Sequence, residues 1–325
     1  MTRRGRKQPP PADKPSCLAP SPTSILLFDR FTKLDLDRWQ QLSQWLEEYN
    51  SLLYYALEPY RERYKNELKQ SLADVPAVTV NVDHWARCVS LRYSLEPLSA
   101  AGSLTSFGSR FNMGRDVDRT KAKPWPALYV ADCFETAYRE KFQHSADPQQ
   151  SGLNPNELAL ATDGSFSCVV IEGNVERVFD LTEPQALTTF CAVLKKAVMP
   201  EQIRRPERKL KISPSARARL LKSPQTVLRF LLDENWRVLP VQYGLPAVSH
   251  IFAGLVRDAG FEAIKYPSTK GPGMCSAVFP DRIASATTSL RVADPMPAEA
   301  RHAELNRDTA DALCGWDILS PRLRP

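Results

Sequence analysis

Three short segments of the sequence carry polar side chains of types that bind ligands or take part in catalysis. Residues 102–114 are rich in Gly and Ser and present Arg110 and Asn112, and such small residues allow a close approach between backbone and ligand. Tyr129 lies in an apolar run typical of a strand, and Glu140 follows in a segment typical of a helix. Residues 260–268 end in Ser268, which follows a proline. Taken singly, these side chains could equally be an ion-pair partner, a core residue, a solvated helix residue and a turn former.

Familiar catalytic and metal-binding signatures are absent from the sequence. It contains no GxxxxGK[ST], HExxH or GxSxG motif, and no GxGxxG motif follows a strand. Its seven cysteines and four histidines are widely spaced, without a CxxC or CxxH pair. We therefore expect reduced, mostly buried thiols, no disulfide framework and no metal site.

The polar segments, taken together, resemble blocks of the RES domain family, which is named for its Arg, Glu and Ser residues. The resemblance runs in chain order from about residue 85 to residue 284 and rests on residues 85–87, 108–114, 128–131, 137–140, 180–182 and 260–268. Ser109 and Phe111 replace a Gly and a Trp of the family pattern. Arg87 matches the first Arg of the family, with Arg92 as the alternative.

This resemblance implies a fold similar to the ADP-ribosyltransferases, in which two small β-sheets clasp NAD. It also implies an enzyme that breaks the bond between nicotinamide and ribose, so that NAD is the substrate and no cofactor is expected. Water, inorganic phosphate or a protein side chain could accept the ribosyl group. The chain would accordingly be an NAD glycohydrolase, an NAD phosphorylase or an ADP-ribosyltransferase.

The resemblance also assigns catalytic roles to Glu140, Arg87 and Ser268. Loss of neutral nicotinamide leaves a sugar with positive charge, which the Glu140 carboxylate would stabilise. Arg87 would hold the pyrophosphate of NAD through its guanidinium fork. Ser268 would offer its hydroxyl to the carboxamide or the ribose.

Substrate binding is assigned in the same way to Arg110, Tyr129 and Asn112, together with Arg87. Arg110 would be a second ligand of the pyrophosphate. Tyr129 would present an aromatic face to the nicotinamide ring. Asn112 would position its loop or contact the phosphates.

The resemblance further suggests a partner. Members of the family are commonly toxins of bacterial toxin–antitoxin pairs, each neutralised by a small DNA-binding antitoxin that covers the pocket. A stand-alone NAD-consuming enzyme is an alternative, because this chain is larger than the compact toxins. A non-catalytic interaction protein with a degenerate pocket is another, and a homo-oligomer is compatible with all three.

The elements that must position these residues form an α+β pattern, because strands and helices are mixed without regular βαβ alternation. Strands are predicted at residues 128–130, 166–171, 175–181, 263–266 and 276–279. Helices are predicted at residues 134–142, 184–198, 214–232 and 249–259, the last closed by Gly260.

The chain divides by composition into four parts. Residues 1–22 are basic and rich in proline, which predicts a disordered tail. Residues 23–80 are predicted to be a helical appendage, and residues 81–290 a RES-like catalytic domain with a helical insertion at about 184–246. Residues 291–325 are predicted to be a loosely structured C-terminal extension.

The net charge of +6 is concentrated in the tail, because residues 1–20 hold five basic side chains and one acidic one. The near-neutral average of the remaining body favours no direct binding to nucleic acid. An apolar run of the ~18 residues that a membrane span needs is missing. We expect no membrane contact and a cytoplasmic location.

The helical appendage carries an apolar stripe. Its residues recur at steps of three and four, at Trp39, Leu42, Leu46, Tyr49, Leu53 and Ala56. The stripe is predicted to pack on the core of the same chain, with pairing to another chain as the alternative. Pro59 is predicted to kink or end this helix, with a second helix extending through Leu72.

Overall fold

A computed structural model describes residues 33–104, 108–114, 117–120, 122–144, 166–215, 217–233, 236 and 244–315. The predicted tail, residues 1–22, therefore lies outside the described residues. The chain divides into a first unit that ends at Leu46 and a second that begins at Glu47. The described residues form seven strands and seven α-helices, so the predicted α+β class is confirmed.

The strands and helices follow one another along the chain without a repeating unit. The strands are β1 Val78–Ser90, β2 Leu128–Ala131, β3 Phe166–Asp180, β4 Ala263–Pro267, β5 Met274–Val278, β6 Ser289–Val292 and β7 Glu304–Leu305. The helices are α1 Lys33–Ala73, α2 Phe134–Phe142, α3 Thr188–Leu194, α4 Arg204–Lys209, α5 Pro224–Leu231, α6 Val248–Asp258 and α7 Ala310–Cys314.

All seven strands belong to one sheet, in the order β1-β2-β5-β4-β3-β6-β7. Strand β1 also pairs with β3, which closes five of the strands into a ring. The strands expected as two small sheets are thus joined through the long strands β1 and β3. Only the pairing of β3 with β4 is parallel among the described pairings. Parallel strands need a long crossover connection, and α3 to α6 provide it, including the segment 184–246.

The sheet has a hydrophobic core on each side. Alternation along β2 directs Leu128 and Val130 into one core, while Tyr129 packs against the other. The same alternation in β3 separates Val178 from Phe179. The candidate site described below lies on the side of Tyr129 and Phe179, where the helices α2 and α6 pack.

Helix α1 is a single helix of 41 residues with Pro59 inside it, so the prediction of two helices is wrong. Proline removes one backbone hydrogen bond, and the Arg61 guanidinium donates to the Tyr54 carbonyl nearby. Packing on both sides of the proline outweighs the break, because Ala56 before it and Leu72 after it are buried.

The apolar stripe of α1 is divided between exposed and buried residues. Trp39 is 66% exposed, and Leu42 and Leu46 are exposed as well. Tyr49 and Ala56 are buried in a cluster with Ile203 of the crossover. Packing within the chain is therefore confirmed for the C-terminal half of the stripe, at Tyr49 and Ala56.

Two further predictions of regular structure are corrected. Residues 166–180 form one strand and not two, because Gly173 (φ 133°) brings its backbone against the Ser289 carbonyl of β6, where a Cβ would be 2.0 Å away. The helix predicted at 214–232 is only α5, because Pro224 occupies its first turn and the Ser223 hydroxyl accepts from Thr226 N–H at the N-cap.

The helix predicted at 184–198 is also shorter. A 3-10 turn at Pro184–Leu187 precedes α3, which ends at Leu194. The C-terminal residues up to 315 are ordered, contrary to prediction, because Leu305 and Leu313 are fully buried. The Leu313 carbonyl accepts a hydrogen bond from Ala100 N–H, which fixes α7 to the body of the fold.

No helix among the described residues is both long enough and apolar enough to cross a membrane.

Candidate functional site

The sheet brings Glu140 of α2 and Ser268, which follows β4, into direct contact. The Ser268 hydroxyl donates to Glu140 Oε1 over 2.7 Å, and the Thr269 N–H donates to the same oxygen over 3.0 Å. Ser268 Oγ accepts in turn from Lys270 N–H. Within the described residues, Glu140 Oε2 has no hydrogen-bond partner. One carboxylate oxygen is therefore fixed by two donors.

Helix α2 holds Glu140 in this place through an aromatic stripe. Phe134, Tyr138 and Phe142 follow each other at steps of four, and their neighbouring ring centroids are 5.9 and 4.7 Å apart. Tyr138 is fully buried. Because Glu140 lies two positions after Tyr138, it projects from a different face of the helix, towards the loop at Ser268.

Thr269 links Arg110 to this pair, and sequence reasoning missed it. Its hydroxyl accepts from Arg110 Nη2 over 2.9 Å, while its backbone N–H binds Glu140. Thr269 lies in a loop, one position beyond the family block at residues 260–268. Only its position directly after Ser268 could have indicated a role.

Arg110 is 7% exposed and also binds the end of helix α5. Its Nη1 donates to the Leu231 carbonyl over 3.1 Å and to the Asp233 carbonyl over 2.7 Å. The first of these bonds satisfies the Leu231 carbonyl, which the end of the helix leaves without an intrahelical partner. The crossover thus forms one wall of the site. Three of the five N–H donors of Arg110 are used in these contacts and the bond to Thr269.

The loop that presents Arg110 is tightly folded. Gly108 is required, because a Cβ there would lie 2.4 Å from the Asn112 carbonyl oxygen. Asn112 is fully buried; its Oδ1 accepts from Ser109 N–H, and its Nδ2 donates to the Ser103 carbonyl. Asn112 therefore positions the loop, which is one of its two predicted roles.

Tyr129 fastens the same loop to the sheet. Its hydroxyl donates to Asn112 Oδ1 and accepts from Phe111 N–H, each over 3.0 Å. Burial raises the pKa of this phenol, so the hydroxyl stays protonated and keeps both bonds. The Arg110 guanidinium lowers the pKa of Tyr129 and the Glu140 carboxylate raises it, each less than burial does.

Tyr266 of β4 packs against the loop that presents Arg110. Like Thr269, it had no predicted role. Its ring meets Phe111 edge to face, with centroids 4.9 Å apart. Burial raises the pKa of Tyr266, Cys275 and Glu140 raise it further, and Arg110 lowers it.

Arg87 lies in β1, and its side chain binds backbone carbonyls, one of them that of Tyr129 in the neighbouring strand β2. Its guanidinium donates to the carbonyls of Pro97, Tyr129 and Ser99, over 2.6, 2.8 and 3.0 Å. Burial lowers its pKa to about 10. These bonds give Arg87 a structural role in joining β1, β2 and the loop after β1. Its contact to a pyrophosphate stays a prediction. Arg92, the alternative, is exposed and lies over the Tyr93 ring.

The structure therefore brings the predicted residues together in two connected groups. In the first group Ser268 binds Glu140 directly and Thr269 links Arg110 to Glu140. In the second group Tyr129 binds Asn112 directly. Arg87 reaches the second group only through a backbone carbonyl.

One group of possible metal ligands lies away from this site. Side-chain atoms of Asp83, His84 and Glu172 are within 4.8 Å of one another. Asp83 and His84 are exposed, and Glu172 pairs with both His84 and Arg291. An exposed ion-pair cluster accounts for this arrangement.

The sequence profile of the RES domain matches residues 84–302. The chain belongs to the RES domain family. The RES domain includes every site residue named above, while α1 and α7 lie outside it. Among the curated proteins, none matches this sequence significantly. A chain in the crystal structure of the M. tuberculosis MbcT-MbcA toxin-antitoxin complex is similar in structure, with a TM-score of 0.37 and 14% identity over 76% of this chain and 96% of that one.

Proposed function

We propose that this RES domain consumes NAD as its substrate by breaking the bond between nicotinamide and ribose. The observation that carries the proposal is the Glu140 carboxylate, held at Oε1 by Ser268 and Thr269 and without a hydrogen-bond partner at Oε2 in the described part of the chain. A fixed carboxylate with one available oxygen suits a developing positive charge, because it needs no reorganisation during the reaction.

The neighbouring residues support the same chemistry. Departure of neutral nicotinamide leaves an oxocarbenium-like ribose, which a carboxylate stabilises as in glycoside hydrolysis. Arg110 keeps two N–H donors beyond its three protein contacts, enough to hold one phosphate group. Tyr129 and Asn112 keep the Arg110 loop in place for this contact.

Product analysis tests the proposal and distinguishes the acceptors. Purified protein is incubated with NAD alone, with NAD and inorganic phosphate, or with NAD and candidate proteins. The products are separated by chromatography and identified by mass spectrometry. ADP-ribose indicates a glycohydrolase, phosphorylated ADP-ribose a phosphorylase, and a protein adduct a transferase. Absence of released nicotinamide under all conditions would overturn the proposal. Glu135→Gln, the same change elsewhere on α2, is the matched control for Glu140→Gln.

The family resemblance supports a toxin role with an antitoxin protein as partner. Induced expression in a bacterial host is then expected to lower cellular NAD and stop growth, whereas Glu140→Gln should do neither. Normal growth with unchanged NAD, at equal expression, would contradict the toxin role. Product formation in vitro would separately retain the enzymatic proposal.

A further inference from the structure

Positive charge is concentrated in one stretch of the crossover, residues 195–222, here called the basic segment. It holds ten Lys and Arg side chains and two Glu side chains, a formal net charge of +8. The whole chain has a net charge of +6, so everything outside the basic segment sums to −2. The near-neutral average of the body therefore conceals a strongly basic patch.

A buried network holds the basic segment against α1. Glu207 is buried, and its carboxylate accepts hydrogen bonds from Tyr49, Arg204 and Ala218 N–H over 3.1, 2.8 and 2.9 Å. Burial alone would raise the pKa of Glu207, but these bonds outweigh it and lower the pKa. Burial and the Glu207 carboxylate together raise the pKa of Tyr49 to about 12. The charged surface is thus built on an ordered support.

The basic side chains of this segment are directed to solvent. Nine of the ten are exposed, namely Lys195, Lys196, Arg205, Arg208, Lys209, Lys211, Arg217, Arg219 and Lys222. Arg204, Arg208 and Arg217, with Glu201, line a cavity of about 300 Å³. Three guanidinium groups around one concavity favour a ligand with phosphate oxygens, which they can bind through paired N–H donors.

Lys211 takes a position that normally belongs to glycine. Helix α4 ends in a Schellman motif, in which Ile212 N–H donates to the Glu207 carbonyl and Lys211 N–H to the Arg208 carbonyl. Lys211 has a φ of 53°, the left-handed conformation that glycine adopts without strain. A charged residue is kept here at a cost in stability, beside the cavity-lining Arg208.

We propose that the basic segment binds the phosphate backbone of duplex nucleic acid without reading its bases. Residues 195–222 contain no aromatic side chain, so the segment offers no aromatic platform for unpaired bases, and a duplex is the favoured ligand. Among its described large apolar side chains, only Val198 is exposed. A protein interface would need an apolar centre, and insertion into a membrane would need exposed apolar side chains. A purely electrostatic contact with anionic lipid is an outcome of the test below. Charge neutralisation of phosphates needs neither.

Fluorescence anisotropy with a labelled duplex of about 30 base pairs tests this proposal on the full chain. The wild type is expected to bind at low salt, with a slope of log K against log salt of roughly −4 to −6, corresponding to about five or six phosphates. Arg208→Glu combined with Arg217→Glu should weaken binding at least 10-fold. The matched control combines Lys69→Glu and Arg307→Glu, which change the net charge equally at exposed positions elsewhere. It should change affinity less than 3-fold.

Lys211→Gly separates lost binding from lost folding. Because glycine relieves the strained backbone, this variant should melt at the same temperature as the wild type or higher, yet bind the duplex about 2- to 5-fold more weakly. A lower affinity in a protein of equal or greater stability cannot come from unfolding.

Several results would overturn the proposal. These are no binding by the wild type, equal binding by the Arg208/Arg217 variant and the control, or binding lost only when Arg3, Arg4, Arg6 and Lys7 are neutralised. Displacement of the duplex by polyglutamate of equal charge would assign the patch to an acidic protein instead. Preference for anionic lipid vesicles would assign it to a membrane surface. None of these results depends on NAD turnover.

Discussion

The Ser268 hydroxyl donates a hydrogen bond of 2.7 Å to Glu140 Oε1, which joins residues 128 positions apart. Thr269 N–H binds the same oxygen, so two donors fix the plane of the carboxylate. Ser268 was predicted to contact the substrate, and the geometry adds a second task, namely to orient Glu140. A double-mutant cycle separates contact with the substrate from orientation of Glu140.

Changing Glu140 to Gln should lower kcat for nicotinamide release about 100-fold or more. The amide keeps the size of the side chain and can still accept from Ser268, but it lacks the charge that stabilises the transition state. KM should change little, because the charge matters less in the ground state. Steady-state kinetics check this, and near-normal turnover would remove Glu140 from its role.

Ser268→Ala should lower kcat less than Glu140→Gln does, by about 10-fold. In the double variant the two effects should not add, because the serine acts in part through the carboxylate. A full double-mutant cycle measures this coupling. Fully additive effects would mean that Ser268 acts only on the substrate.

Arg110→Lys should raise KM for NAD about 10-fold or more, since an ammonium group cannot copy the guanidinium fork. It should also destabilise the fold by about 1–3 kcal/mol, because a carbonyl at the end of α5 loses its donor. Arg307→Lys is the matched control at an exposed position outside the RES domain. Unchanged KM in a destabilised Arg110→Lys protein would make Arg110 structural only.

Tyr129→Phe should lower the free energy of unfolding by about 1–3 kcal/mol, because Asn112 Oδ1 and Phe111 N–H each lose a buried partner. The aromatic ring remains available to a ligand. In Tyr64→Phe the ring keeps its stacking on Tyr60 and its contact with Arg63, so this change should cost little. Urea unfolding compares the two, and equal stabilities would show that the Tyr129 hydroxyl does not hold the loop.

Acidification should weaken the anchor of the basic segment. The pKa of Glu207 is lowered in the folded chain, so its stabilising effect is fully present above its ordinary pKa of about 4.3 and is lost as pH falls through the folded value. Glu207→Gln lacks this effect. The stability difference between wild type and Glu207→Gln should therefore shrink from pH 7 to pH 3.5 in urea unfolding, and a constant difference would contradict the assignment.

Local signals in the sequence predicted the elements that depend on local structure. The helix at Phe134–Phe142 has the predicted bounds, because its aromatic residues repeat at helical spacing. Gly260 has a φ of 91° just after α6, as its C-cap position required. Strand β2 follows from a short apolar run.

Features set by distant contacts were not predictable in this way. Strand β1 was missed because a bulge at Asp83 and His84, where His84 has a φ of 51°, interrupts its alternation. The two strands predicted at 166–171 and 175–181 are one strand, because the close approach of β6 requires the glycine at position 173 within it. Thr269 carries no periodic signal, since its importance comes from Arg110, 159 positions away.

The parallel pairing of β3 with β4 joins Val178 to Ala263, across the whole crossover. Closing a loop of this size costs conformational entropy before any contact repays it, so topologies of this kind fold slowly. Because Glu140 and Ser268 lie on opposite sides of this crossover in the sequence, we expect them to meet late in folding. A nascent chain that ends before Ser268 lacks the hydroxyl altogether. For a chain that consumes NAD, as proposed, this delay keeps unfinished molecules harmless to the cell that makes them.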